Sequence, residues 1–144
     1  MLLGMLEMLK VVLDTNTLIS SFFWKGKEFE LFKRIEESKV KLFLNKEILE
    51  EIEDVLNRPK FKEAIENANT TSDQIMQKVI SVSHFVLGPK LNINICRDPK
   101  DNKFLECSIN GYVDHLVSGD KDLLSLKTYK NIKISRTSEI LEIL

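Results

Sequence analysis

Short apolar runs alternate with helix-patterned stretches along the chain. Leu9–Leu13 (LKVVL), Lys41–Leu44 (KLFL), Phe85–Leu87 (FVL), His115–Val117 (HLV) and Ile132–Ile134 (IKI) each stop at a polar or turn-forming residue. Runs this short, bounded in this way, suit strands buried on both faces of a parallel sheet. Between them, Lys27–Glu37 and Lys46–Asn57 carry apolar residues at helical spacing, and Pro59 stops the second. Phe61–Asn67, Asp73–Ser83, Asp101–Asn110, Asp120–Leu126 and Thr137–Leu144 are also read as helices, with Asn69-Thr70-Thr71-Ser72 as a loop and cap. Strand–helix alternation with right-handed crossovers predicts a three-layer α/β/α sandwich. Ligands of such open sheets bind beyond the carboxyl ends of the strands, so the residues just after each strand matter most.

A chain of 144 residues is the size of one domain, and it shows no repeat or Pro/Gly-rich linker. Residues 1–8 are read as a short N-terminal extension and residues 9–144 as a single domain. The apolar start, MLLGMLEML, is broken by Glu7 and is far shorter than the roughly 20 residues of a membrane helix. It lacks a small-residue cleavage site, so it is read as a packing or dimer contact and not as a signal peptide. With 43% hydrophobic and 30% charged residues the chain is neither disordered, collagenous nor polytopic in a membrane. Lys and Arg, 21 in all, nearly cancel 22 Asp and Glu, so a nucleic-acid partner would need a local patch. Cys96, Cys107 and the two histidines lack zinc-site spacing. Reduced thiols in a cytoplasmic protein are the expectation.

The acids are more informative. Asp14 directly follows Val11-Val12-Leu13, and Asp120 follows Val117-Ser118-Gly119, which places both at one edge of the sheet. Either alone reads as a helix cap. In Lys46–Asn57 the apolar stripe is Ile48, Leu49, Ile52, Val55 and Leu56. At ~100° per residue, Glu47, Glu50 and Asp54 face away from it, while Glu51 and Glu53 flank it. Glu51 lies nearer the preceding strand end and is the better inward acid. In Asp101–Asn110, Asp101 shares a face with Phe104, Leu105 and Ser108, whereas Asp98, before Pro99, shapes a turn.

Asp14, Glu51, Asp101 and Asp120 are thus expected to converge, with Asp122 close behind. Two like charges ~5 Å apart repel by about 3 kcal/mol at an effective dielectric of 20. Six such pairs would cost about 20 kcal/mol, more than the roughly 5–15 kcal/mol that holds a domain together. The cluster must take up protons or cations. All-oxygen ligation without His or Cys selects Mg²⁺ or Mn²⁺, and these support metal-assisted phosphodiester hydrolysis.

VVLDTN (11–16), the acidic helix around Glu51, RDPKDNKFLECS (97–108) and VSGDKDLL (117–124) together resemble PIN-domain ribonucleases, most closely the toxins of type II toxin–antitoxin pairs. The likeness runs from Val11 to about Leu141. It implies a five-stranded parallel sheet ordered 3-2-1-4-5 and a quartet of Asp14, Glu51, Asp101 and Asp120 that binds Mg²⁺ or Mn²⁺. It further implies Asp122 as an auxiliary metal acid and Asn16 and Ser118 as polar groups that orient ligands or water. RNA as substrate, a cognate antitoxin and a homodimer follow from the same likeness. Cys107-Ser108 and His115 depart mildly from the pattern, but neither removes an acid.

Other signals are weaker. His84 and His115 belong to no catalytic spacing and are read as core or edge residues. Gly26-Lys27-Glu28 fails the phosphate-loop pattern. Phe22-Phe23-Trp24, followed by Lys25 and Lys27, could stack on bases but is more typical of a core or dimer contact. Arg58, Lys60 and Lys62 form a small basic patch, and Lys100, Lys103 and Lys121 interleave with the acids. Candidate RNA contacts are Lys25, Arg58, Lys60, Lys62, Lys100 and Lys121. Two other readings stay open. One is a PIN-like module that binds RNA or a partner without cutting it. The other is a phosphatase or receiver domain with Asp14 as phosphate acceptor, although Asn16 stands where a haloacid-type pattern wants Asp.

Overall fold

The computed structural model describes residues 8–144. Six strands form one sheet: β1 (Lys10–Leu13), β2 (Lys41–Leu44), β3 (Ser83–Phe85), β4 (His115–Val117), β5 (Thr128–Tyr129) and β6 (Ile132–Ser135), in the order β3-β2-β1-β4-β6-β5. The first four pair in parallel with β6 in the order implied by the family resemblance. Helices pack on both faces: α1 (Thr15–Phe23), α2 (Lys27–Glu36), α3 (Lys46–Leu56), α4 (Lys62–Asn67), α5 (Ser72–Val82), α6 (Asn102–Asn110), α7 (Lys121–Leu124) and α8 (Thr137–Glu142).

β1 is central because Val11, Val12 and Leu13 have no polar face to offer water, and all three are buried. Val11, Leu42, Leu105 and Leu116 are completely enclosed at the middle of the core. Truncating Leu105 to Ala would cost about 2–5 kcal/mol through lost transfer energy and the cavity left behind. α3 begins where Asn45 accepts the Ile48 N–H at 2.9 Å, and it buries Ile48, Ile52, Val55 and Leu56 against the sheet. It ends at Asn57, just before Pro59 opens a short 3₁₀ turn.

Four details differ from the sequence reading. The sheet has a sixth strand, β5, which pairs antiparallel with β6 through a two-residue loop, Lys130-Asn131. Both loop residues are left-handed, with φ of 46° and 70°, as a tight hairpin turn requires. Lys at the first of these positions hides that turn from sequence. The third strand is Ser83–Phe85 rather than Phe85–Leu87, because pairing Leu42 with Ser83 and Leu44 with Phe85 places Leu87 in solvent. A helix, α1, occupies Thr15–Phe23, where the sequence reading placed only an aromatic run. Asp101 closes a 3₁₀ turn, Pro99–Asp101, and α6 starts one residue later.

Phe22 packs on Phe32 with ring centres 4.8 Å apart, and Phe23 stacks on Phe61 at 5.8 Å. Trp24 alone of that run is exposed. The dimer contact expected at Met1–Leu6 lies outside the described residues. Cys96 and Cys107 are free thiols, pushed by burial up to about 11 and about 12. No helix among the described residues is long and apolar enough to cross a membrane.

Candidate active site

β1 and β4 deliver their aspartates to the same edge. The Asp14 N–H still donates to the Val117 carbonyl at 3.0 Å, so the ladder runs one residue past β1 before α1 begins. Asp14 caps α1, its Oδ1 accepting the Thr17 N–H at 2.9 Å. Its Oδ2 accepts the Ser118 hydroxyl. The Ser118 oxygen in turn accepts the Asp120 N–H at 2.9 Å, and Asp120 Oδ2 caps α7 through the Leu123 N–H at 3.0 Å. Ser118, fully buried, therefore ties the two aspartates into one rigid unit. Both acids are caps, as the simpler sequence reading has it. Capping is also what fixes their direction.

Glu51 reaches the same place from α3. The Thr15 hydroxyl donates to Oε2, and Lys103 Nζ lies 2.8 Å from Oε1. Glu50 and Glu53, on other faces of the same helix, are exposed. Asp101 comes from the 3₁₀ turn before α6. Asp14, Glu51, Asp101 and Asp120 all line one cavity of about 320 Å³, together with Asn16 and Asp98. Thr15, Arg58, Lys100 and Phe104 complete much of its wall.

The electrostatics follow from that gathering. Burial raises the Asp14 carboxyl above its ordinary range, against the lowering effect of hydrogen bonds from Ser118 and Thr17. Asp101 is pushed up to about 6, first by burial and then by the charges of Asp98, Asp120, Asp14 and Glu51. Lys103 was one of several lysines read among the acids. The structure pairs it with Glu51, leaving only 14% of its side chain exposed.

The donor set is all carboxylate oxygen, with no imidazole or thiol in the cavity lining, which suits a hard cation such as Mg²⁺ or Mn²⁺ in kind. Its spacing is looser. Among the described residues no three carboxylate, imidazole or thiol groups stand close enough to hold one ion together. Glu51 is drawn toward Lys103 and Thr15, so full ligation requires it to leave that grip.

The remaining sequence candidates divide. Asn16, Arg58 and Lys100 line the carboxylate cavity, and Arg58 also pairs with Asp54 at 3.1 Å. Asp122 points outward to Arg97 at 3.7 Å and lines neither this cavity nor its neighbour. Lys25, Lys60, Lys62 and Lys121 are exposed and line neither. Thr15, Asp98 and Lys103 are contacts that the sequence reading missed as site residues. Thr15 and Lys103 could have been found by asking which groups can satisfy a half-buried Glu51.

A family model described as PIN domain matches residues 10–122, a span that contains all five cavity carboxylates. This chain belongs to the PIN domain family. The PIN-domain chain is also 34% identical over 120 residues to an uncharacterized protein of Methanocaldococcus jannaschii. That alignment covers 83% of this chain and 76% of the relative. The PIN fold is a nuclease fold, and here its strand-end edge carries the carboxylate cavity.

Proposed function

We propose that this PIN domain is an Mg²⁺- or Mn²⁺-dependent endoribonuclease that hydrolyses RNA phosphodiester bonds at the carboxylate cavity. The observation that carries it is the gathering of five carboxylates, Asp14, Glu51, Asp98, Asp101 and Asp120, from separate elements around one space of about 320 Å³. Such a cluster is costly unless cations or protons offset it. Asp14, Asp101 and Asp120 would hold the ion, joined by Glu51 once it leaves Lys103, while Asp122 would act only through solvent. A divalent ion there would supply a more acidic water and stabilise charge on the phosphate oxygens.

The chain's own groups do the rest. Ser118 holds Asp14 Oδ2 and the Asp120 backbone in fixed relation. Thr15 and Lys103 hold the Glu51 carboxylate in reserve. Asn16 presents an amide to the cavity, and Arg58 and Lys100 place positive charge at its wall for the substrate phosphates. Asp101, near 6, is able to exchange a proton close to neutral pH.

The test is cleavage of single-stranded RNA with Mg²⁺, with Mn²⁺ and with excess chelator, in wild type and Asp14→Asn. Cleavage that survives the chelator or the substitution overturns the reading. One observation favours a second reading, a silent RNA- or partner-binding module: Glu51 is already neutralised by Lys103. Under that reading RNA binds but stays intact with either metal. A phospho-aspartate intermediate has less support, because Asn16 stands where a haloacid-type pattern wants Asp.

The motif order shared with type II toxins supports a toxin role with a cognate antitoxin. A neighbouring reading frame for a small DNA-binding protein is the feature to look for. We also propose a homodimer, supported by the exposed Trp24 and Leu87. Light scattering that returns a monomer at working concentration overturns it.

A further inference from the structure

The unit formed by Asp14, Ser118 and Asp120 has a second side. A separate cavity of about 460 Å³ opens there and shares Asp14, Asn16 and Asp120 with the carboxylate cavity. Its other polar groups have the opposite character. Lys27 stands at the first residue of α2, Arg136 immediately follows β6, and Ser20, Thr137 and Ser138 contribute hydroxyls. Glu28 is its one acid beyond the shared pair among the described residues.

Both cations are uncommitted, as are many surface lysines, and what sets them apart is that they line one cavity together. Among the described residues neither Lys27 nor Arg136 forms a salt bridge. Of the cations nearer the carboxylates, Lys103 is engaged with Glu51, Arg58 with Asp54 and Arg97 with Asp122, while Lys100 forms no salt bridge among the described residues. Glu139, the acid closest to Arg136 in sequence, spends an oxygen on the Arg136 backbone N–H at 2.9 Å. The guanidinium is left for something else. Arg136 also lies beyond residue 122, where the family match stops. A planar guanidinium, an ammonium and several hydroxyls around one concave space form an anion site suited to a phosphodiester.

We propose that this second cavity is a phosphate subsite, in which Arg136 and Lys27 grip the backbone phosphate next to the one presented to the carboxylates. The proposal rests on the reading of the carboxylate cavity as an RNA-cleaving site, and it adds how the strand is held. The clustered carboxylates repel a phosphate until cations offset them, so ground-state affinity has to come from beside them. The shared wall of Asp14, Asn16 and Asp120 sets the offset between the bond to be cut and the phosphate that is gripped. A substrate with no phosphate beyond the scissile one would forgo that grip.

The experiment measures binding of a fluorescein-labelled single-stranded RNA in excess chelator, across a range of salt, to wild type, Lys27→Gln, Arg136→Gln, Arg136→Lys and the double Gln variant. The double variant should bind about tenfold or more weakly, with a salt slope smaller by about 0.7 for the one phosphate that both cations grip on a single strand. Arg136→Lys should keep the slope but lose part of the affinity, because it keeps charge without the guanidinium fork. Lys39→Gln, before β2 at the opposite edge of the sheet, should change neither.

Neutral methylphosphonates placed one at a time along the RNA sharpen the test. Wild type should lose affinity at a position beside the cleavage site, and the double variant should not lose it there. Unchanged slopes, or equal methylphosphonate losses in both proteins at every position, overturn the subsite. If the slope falls as expected but wild type with Mg²⁺ never cuts RNA, the cleavage reading fails and the subsite stands. Both side chains are exposed, so an unchanged melting temperature separates these effects from misfolding.

Discussion

The two cavities on either side of Asp14 and Asp120 are built from the same strand ends yet treat charge in opposite ways. On the Glu51 side, five acids crowd together, and of the cations at its wall Arg58 is in an ion pair and Lys100 is not. On the Arg136 side, two cations without salt bridges among the described residues stand with five hydroxyl residues and only one acid beyond the shared Asp14 and Asp120. The balance of charge is thus far more acidic on the first side than on the second. The difference teaches how a nearly neutral chain handles a polyanion: it separates the place that needs cations from the place that supplies them, and keeps both within reach of one strand of substrate.

The largest expected effect breaks the carboxylate side. Asp14→Asn should reduce RNA cleavage by at least about a thousandfold, because it removes a charge that the ion and the transition state both need. The fold should survive, since Asn caps a helix as well as Asp does. Gel-based cleavage rates and thermal melting check both halves.

Next in size is the response to metal. Mg²⁺ should raise the melting temperature near pH 7 and release protons, because the ion binds the folded cluster and not the unfolded chain. The gain should shrink as pH falls through about 6, where Asp101 takes up a proton. Melting with and without Mg²⁺ across pH, together with proton release by calorimetry in buffers of different ionisation heat, would show it. A pH-independent gain would place the ion elsewhere.

A smaller effect concerns Asp101 alone. Its folded-state value, about 6, lies above the ordinary 3.8, so the fold disfavours its ionised form. The fold is unpenalised below the unfolded value, and stability is lost as pH rises from there through the folded value. Asp101→Asn should therefore gain melting temperature relative to wild type across that window and hold the gain at higher pH. A gain that is flat from acid to neutral pH would mean that burial and the neighbouring acids do not act as described.

Lys103→Met tests the reserve on Glu51. Removing the ammonium from this half-buried pair should cost about 1–2 kcal/mol in melting experiments without metal. Mg²⁺ should then stabilise the variant more than it stabilises wild type, since Glu51 is released to the ion. The smallest effect is expected from Lys60→Gln with Lys62→Gln. They touch neither cavity, so RNA affinity should change by no more than about twofold.

Much of the carboxylate side was legible because its signals are local. An Asp soon after an apolar run, as at Asp14 and Asp120, names both a strand end and a cap, and helical spacing together with nearness to the preceding strand end picks out Glu51 as the inward acid. The Arg136 side follows the same rule, for Arg136-Thr137-Ser138 sits past β6 as Asp14 sits past β1. Nothing local marks Arg136, because a lone cation after a strand has the same sequence signature as ordinary solvated charge. Helix α1 was written in Leu18, Ile19, Phe22 and Phe23, spaced for one helix face, and the reading of that run as a core or dimer contact left its helix unassigned.

By itself the sequence determined the alternation of strands and helices, the strand ends at which acids stand, and the inward turn of Glu51, since each depends on residues within a few positions of one another. Tertiary structure alone decided the charge pairing. Whether Lys103 meets Glu51, 52 residues away, or whether Arg136 shares a cavity with Lys27, depends on how separate crossovers stack on the sheet. A charge on a helix surface looks the same in sequence whether it faces water, an acid or a future phosphate. Only the packing of distant elements determines which of these it meets, and with it where this PIN domain leaves a cation unpaired beside a cavity.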